Sequence, residues 1–376
     1  MKHQIIYIIS LYILISPGCS EDKPNGSVRD TTPENPFYIF GSISDDDRNI
    51  MPLIPVKSID DVGLYPSDIT LSGNEAYIVD SGNNAIHKLH LDNLALNKNA
   101  IIFDPDTGPY TAFATESDLY VACNVSPKVV DISLQNSVQN TLMTASEIKS
   151  PSDIWLYQTQ VIVADSEYDF TDNSKTEGKI ILRSANGTVT ESKTATPNPV
   201  FIQMTRIQDQ DYLLISNAGI LKYSAEGYQP PERSCLEIRS AQDLSQSLIQ
   251  HCIHHGSFGR ISQSETDIYI GDGILPVIHQ IAKSDLLNPA AQMKDIVMSQ
   301  ETPGMTTPLV VDNALVAINY NQDQLVWIDD SDMYYFRLSS SDAAQKSPTD
   351  LVYDRQRKQI LVLNGAGSVD ILKNQR

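Results

Sequence analysis

One strand-turn-strand pattern recurs along this chain, and a chain that repeats such a unit every forty-odd residues has few folds open to it. The pattern is sharpest in residues 65–91, YPSDITLSGNEAYIVDSGNNAIHKLHL. A proline opens it, an alternating apolar run ends at Asp80, a Gly-Asn-Asn turn follows, and a second alternating run closes it. Alternation with a period of two is strand patterning, and Gly/Asn clusters between such runs mark tight turns. SPSDIWLYQTQVIVADSEYD from Ser150 and SPTDLVYDRQRKQILVLNGAGSVDILK from Ser347 repeat it. Weaker copies start at Gly108, Asn198, Gly256 and Thr302. With Pro66, Pro109, Pro151, Pro199, Phe258, Pro303 and Pro348 as markers, the steps are 43, 42, 48, 59, 45 and 45 residues.

A period in the forties built from strands is the signature of a propeller blade. Each copy shows three strands, and a fourth candidate precedes the next marker: AIIFD (100–104), TLMTA (141–145), TVTES (188–192), LIQHCI (248–253), DIVMS (295–299) and YYFRLS (334–339). The last copy has only three strands, and a spare strand, PLIPVK (52–57), lies ahead of the first marker. Pairing the two ends closes the ring and removes exposed sheet edges. The expected fold is therefore all-β, a seven-bladed β-propeller of four-stranded antiparallel blades over residues 37–376.

AYIVDSGNNAIHKL (76–89) resembles the NHL-type propeller repeat and its relatives with Tyr-Val-Thr-Asn repeats. The likeness spans about residues 52–373 and is sharp in the first, third and seventh blades. It implies the propeller fold. For function it implies a choice among binding platforms, scaffolds and a few metal-assisted enzymes, because fold does not fix function.

The formal charge is −20, from 47 acidic and 27 basic residues, with no dense basic stretch, so a nucleic-acid partner is excluded by repulsion from phosphate. Residues 1–18 read as an export signal whose apolar stretch, residues 5–15, is too short to span a bilayer. The SPGC that ends it resembles a bacterial lipobox, although Ser16 and Pro17 hold the places usually taken by Leu and a small residue. That resemblance implies acylation of Cys19, hence a palmitate-bearing lipoprotein. Ser20 points to the outer membrane under the sorting rule of enteric bacteria. The alternative is an ordinary cleaved secretory signal. Residues 19–36 then form the lipidated cysteine and a flexible tether, since SEDKPNGSVRDTTPENP has almost nothing to bury. The expected address is the cell envelope, with membrane contact through the lipid and a monomeric domain.

Asp80, Cys123, Asp165, Asn217, Asp272, Asn319 and Asn364 close the second strand of successive blades. Asp and Asn there suit turns, accepting backbone N–H groups. Cys123 departs from the series and is expected to be a semi-buried free thiol, with no neighbouring base or cation in sequence to activate it. Asp68, Asp153 and Asp350 follow their prolines by two residues and so start the innermost strands of blades 1, 3 and 7, at one mouth of the central channel. Three carboxylates there are candidates for a cation or a basic ligand group, or for capping their own loops. Blade 3 lengthens its turn, and Asp165, Glu167, Asp169 and Asp172 form a candidate Ca²⁺ loop lacking the mid-loop Gly and terminal Glu of an EF-hand.

Blade 4 carries an insert, residues 225–256, containing Cys235 and Cys252, which in an exported chain are expected to form a disulfide. The rival is a Zn²⁺ site using His251, His254 and His255, weakened because strand alternation sends His251 and Cys252 to opposite faces. No motif for nucleophilic catalysis is present. Two functions follow. The first is a lipid-anchored, non-enzymatic binding or scaffolding module for a protein, peptide or glycan, with no cofactor. The second is a lactonase-like metal-dependent hydrolase or lyase at the channel mouth. For that second reading the inner-strand starts of the other blades offer only Thr111, Phe201, Arg260 and Met305 nearby.

Overall fold

The computed structural model describes residues 38–39, 52–167, 178–220, 222–224, 227–229, 231–298, 306–329, 332–338 and 345–376. The chain winds through seven antiparallel sheets of a β-propeller, six of them laid down from the channel outward and the seventh completed by a strand from earlier in the chain. The inner strands are Pro66–Ser72, Pro109–Ala114, Pro151–Tyr157, Pro199–Ile207, Phe258–Gln263, Thr306–Val311 and Pro348–Asp354. Cys19, the export signal and the tether lie outside the described residues.

The ring closes as the sequence arithmetic requires. Leu53–Asp60 forms the outermost strand of blade 7, antiparallel to Ser368–Asn374, with Leu53 opposite Asn374 and Asp60 opposite Ser368. A bulge between Pro55 and Lys57 absorbs the proline, which cannot donate to the ladder. A short strand unforeseen from sequence, Tyr38–Ile39, adds a fifth member to the outer edge of blade 6, opposite Arg337 and Phe336.

Each blade is too thin to own a core, so the apolar side chains cluster between blades. One cluster occupies each of the seven interfaces; that between blades 7 and 1 joins Leu361, Leu363 and Val369 to Ile69, Ile78 and Leu89. The second strands are covered on both faces, which is why Ala76–Asp80 and Val161–Asp165 are buried at every residue instead of alternating. Leu53 and Ile59 of the closing strand enter the clusters on either side of blade 7, so closure buries apolar surface as well as pairing backbone.

Two expectations change. Blade 6 was marked at Pro303, which lies outside the described residues, but its inner strand begins at Thr306: Thr306 sits opposite Asn319 as Pro66 sits opposite Asp80. Thr307 therefore occupies the channel-mouth register, and Met305 lies outside the described residues. Cys123 is fully buried and not semi-buried, because the second strand is sandwiched, and burial pushes its thiol up to about 12.

The disulfide between Cys235 and Cys252 is present. It links directly opposed residues of the third and fourth strands of blade 4, with Cα atoms 4.1 Å apart and a sequence separation of 17. The long step of this blade comes from the connection before the third strand, which carries a small hairpin, Lys222–Ser224 with Gly227–Gln229. Constraining a loop of this length in the unfolded chain contributes about 3 kcal/mol. A double Cys235→Ser, Cys252→Ser variant is expected to lose about that much in denaturant unfolding, while Cys123→Ser alone leaves the reduction sensitivity of the parent unchanged.

Candidate functional site

The polar residues that close the second strands are internal fasteners. Asp80 accepts the N–H groups of Leu64 (3.2 Å), Tyr65 (3.0 Å) and Gly82 (3.1 Å), and meets His87 Nε2 at 3.0 Å. Burial pushes its carboxyl up, but these hydrogen bonds outweigh burial and hold it below the ordinary value. Asp272 binds Ile274 N–H and Leu275 N–H at 2.7 Å each and His279 Nε2 at 3.1 Å. Two of the three Asn residues meet an acid on the third strand: Asn217 Nδ2 donates to Glu237 Oε2 (3.3 Å), and Asn364 Nδ2 donates to Asp370 Oδ2 (2.9 Å), whereas Asn319 Nδ2 donates to Gln322 Oε1 (3.2 Å). His87, His279, Glu237 and Asp370 escaped sequence reasoning. The signal for the two histidines was a polar residue third in the strand, at a position alternation assigns to the same face as flanking apolar residues, as His87 in AIHKLH and His279 in VIHQIA.

His279 is held through both ring nitrogens. Burial would lower its pKa, but hydrogen bonds and charge from Asp272 and Asp295 (Nδ1 to Oδ1, 2.7 Å) raise it above the ordinary imidazole value. Its ring also packs at 5.1 Å from Phe258.

The channel-mouth residues do converge, and the mechanism explains the Pro-Ser-Asp repeat. An inner strand is a sheet edge, with N–H groups that no strand within its own blade satisfies. Asp68 of blade 1 accepts Ala112 N–H of blade 2 at 2.7 Å. Asp153 of blade 3 accepts Ile202 N–H of blade 4 at 2.8 Å, and Asp350 of blade 7 accepts Ile69 N–H of blade 1 at 3.2 Å. The preceding serines reach the same way: Ser67 Oγ donates to Tyr110 O at 2.7 Å and Ser152 Oγ to Pro199 O at 2.6 Å. Each Ser-Asp pair thus staples its blade to the next.

A cation sits among these acids, and it belongs to the chain. Arg260 of blade 5 reaches across the axis, placing Nη1 2.6 Å from Asp350 Oδ1 and 3.5 Å from Asp68 Oδ1, with its guanidinium 5.7 Å from the centre of the Phe201 ring. Thr111 Oγ1 donates to Asp68 at 3.0 Å. Asp68, Thr111, Asp153, Phe201 and Arg260 bound one end of a central cavity of about 570 Å³. Phe113 and Trp155, with ring centres 4.8 Å apart, stand on its wall, and Tyr353 and Arg355 lie toward the far end of the inner strands.

Burial dominates the titration of this end. It pushes Asp153 up to about 7 against the lowering effect of the Ile202 N–H and of Arg260. Asp350 is likewise raised by burial and by Asp68, while Arg260 lowers it. Tyr110 beside them is pushed up to about 12 by burial and by the charges of Asp68 and Asp153.

The candidate Ca²⁺ loop is only partly described. Asp165 is buried and spends its oxygens on the N–H groups of Lys149 (2.8 Å), Ser150 (2.7 Å) and Glu167 (3.2 Å). Glu167 pairs with Lys179 at 2.8 Å. Asp169 and Asp172 lie outside the described residues. Around the disulfide, His251 Nε2 binds Leu286 O at 2.9 Å and His254 Nδ1 binds Glu232 O at 2.8 Å, so both imidazoles already have backbone partners. Among the described residues no group of three or more His, Cys, Asp or Glu is placed to hold a metal ion.

No family model matches the chain, and no curated protein matches it in sequence. Solved structures do match in shape. A streptogramin B lyase aligns over 90% of this chain and 98% of its own, with 12% identity and a TM-score of 0.59. An inactive virginiamycin B lyase from Staphylococcus aureus, solved with quinupristin, aligns over 85% and 98%, with 9% identity and a TM-score of 0.63. The WD40 propeller domain of Doa1 aligns over 86% and 97%, with 8% identity and a TM-score of 0.62. The likeness is one of fold. A lyase and a WD40 domain score alike, so the similarity leaves the activity open.

Two predictions arise from the mouth. Folding raises Asp153 from about 3.9 in the unfolded chain to about 7, so the folded state binds the extra proton. Its contribution is fully present below about pH 4 and is lost as pH rises through about 7. Asp153→Asn should therefore flatten the fall in melting temperature between pH 5 and pH 8. Arg260→Gln leaves Asp350 and Asp68 without their cation. Because the arginine side chain is 30% exposed, the expected loss is about 2 kcal/mol, below that of a fully buried pair, and larger at pH 8 than at pH 5 by denaturant unfolding.

Proposed function

We propose that this chain is a lipid-tethered propeller of the bacterial cell envelope that acts as a binding or scaffolding module, receiving its partner at the central channel. One observation carries the reading. The carboxylates at the mouth are neutralised from within, by backbone N–H groups of the next blade and by Arg260, and the cavity beyond them stays open to a partner. A resident divalent ion does not fit Asp68, Asp153 and Asp350, since it would share the site with a guanidinium 2.6 Å from one of its ligands. The envelope address rests on the sequence of residues 1–19, and the acidic surface, at a net −20, favours a partner that is neutral or basic.

The second reading, a metal-dependent hydrolase or lyase, draws on the shared fold of the streptogramin B lyase and on the convergence of the three aspartates. Chelation separates the two. Full-length protein in detergent should carry no stoichiometric divalent metal, and its melting temperature should move by less than about 2 °C on adding chelator, the shift of under 1 kcal/mol for a chain this size. Stoichiometric metal with a large loss of stability favours the enzyme. In a bacterial host, Cys19→Ala should move the protein from the membrane fraction to the soluble fraction; retention in the membrane would refute the lipid tether.

A further inference from the structure

The cavity joins two surfaces of opposite character. At one end stand Arg260, Asp68 and Asp153, groups that donate and accept hydrogen bonds within a few ångströms of each other. On the wall stand Trp155 and Phe113, both only partly buried and packed on one another. The charges at this end are already matched within the chain, so an anionic ligand would have to displace Asp350 and Asp68 from Arg260, and a cationic one would compete with Arg260 for the same carboxylates. An apolar ligand would strip water from the charged end with nothing to replace its hydrogen bonds. The remaining chemistry is a neutral molecule with an apolar face and a polar edge. A pyranose ring has that form: its axial C–H groups lie against the negative face of an aromatic ring, and its vicinal hydroxyls bridge a guanidinium and a carboxylate.

We propose that the central channel binds a neutral oligosaccharide, one ring seated on Trp155 and Phe113 and its neighbour hydrogen-bonded to Arg260 and Asp153. This rests on the binding-module reading and narrows it to glycans. The volume, about 570 Å³, falls inside the range of about 300–1,000 Å³ that small-ligand sites occupy. Trp155 and Trp327 are the two tryptophans of the chain, and Trp327 is only 1% exposed, so a ligand in the channel reports through Trp155.

The test uses full-length protein in detergent, titrated calorimetrically and by tryptophan fluorescence with maltotriose, cellotriose, chitotriose and mannotriose, and with tri-lysine and tri-glutamate as charged controls. At least one neutral trisaccharide should bind saturably and change the Trp155 emission. Trp155→Leu and Phe113→Leu should each weaken it about tenfold or more by calorimetry, with melting temperatures close to the parent. Arg260→Gln should weaken it too, and because that variant is destabilised, the two wall substitutions keep the inference refutable. Binding of tri-lysine in place of the sugars overturns the inference while leaving a binding module standing. Saturable sugar binding that survives both wall substitutions overturns the channel site. Absence of binding by all four sugars overturns the glycan assignment; capture of an envelope protein by the same preparation would show that the broader reading outlives it.

Discussion

The unpaired edge of each inner strand is the constraint from which the rest of this structure follows. Seven sheets arranged around an axis turn seven edges toward it, and each edge carries N–H groups with no partner in its own blade. Three of these edges are answered by a carboxylate from the preceding blade: Ile69 by Asp350, Ala112 by Asp68, Ile202 by Asp153. Bringing three carboxylates to the axis creates a charge problem, which Arg260 solves for Asp350 and Asp68 and protonation solves for Asp153 near neutral pH. The acid cluster, the shifted pKa values and the arginine across the channel are consequences of a single backbone requirement.

Fastening at the axis works only if the ring is shut. The closing strand supplies the seventh blade's outer edge and places Leu53 in the cluster between blades 6 and 7 and Ile59 in that between blades 7 and 1. Without it Ile371 and Val369 would lose cover, and the two interfaces flanking blade 7 would open together. The disulfide in blade 4 lies on the far side of the ring and constrains one hairpin of strands locally, so closure and cross-link act on separate parts of the molecule.

Much of this was legible from residues alone because the propeller repeats its grammar. The marker prolines, the fourth strands, the missing strand at one terminus and the surplus strand at the other determined the blade count and the closure, and the cysteine pair followed from compartment and counting. The aspartates at 68, 153 and 350 were found, since their offset from proline is constant, but their role was not. A carboxylate that accepts the next blade's amide looks in sequence like one that waits for a ligand. Arg260 was passed over because it stands where other blades have Asp, Thr or Phe, and its meaning depends on a side chain reaching across the axis from blade 5. His87 and His279 were missed because strand alternation alone does not distinguish a polar residue turned inward to a buried aspartate from one turned outward to solvent. The Tyr38–Ile39 strand has no pattern of its own and is created by the edge it covers.

Amide hydrogen exchange on the intact protein tests the stapling account most directly. The N–H groups of Ile69, Ala112 and Ile202 face the channel, and if each is held by the neighbouring blade's aspartate they should exchange as slowly as the amides of the sandwiched second strands, opening only when the ring opens. Exchange of these three amides at the rate of freely solvated edge groups, while the second strands stay protected, would contradict it.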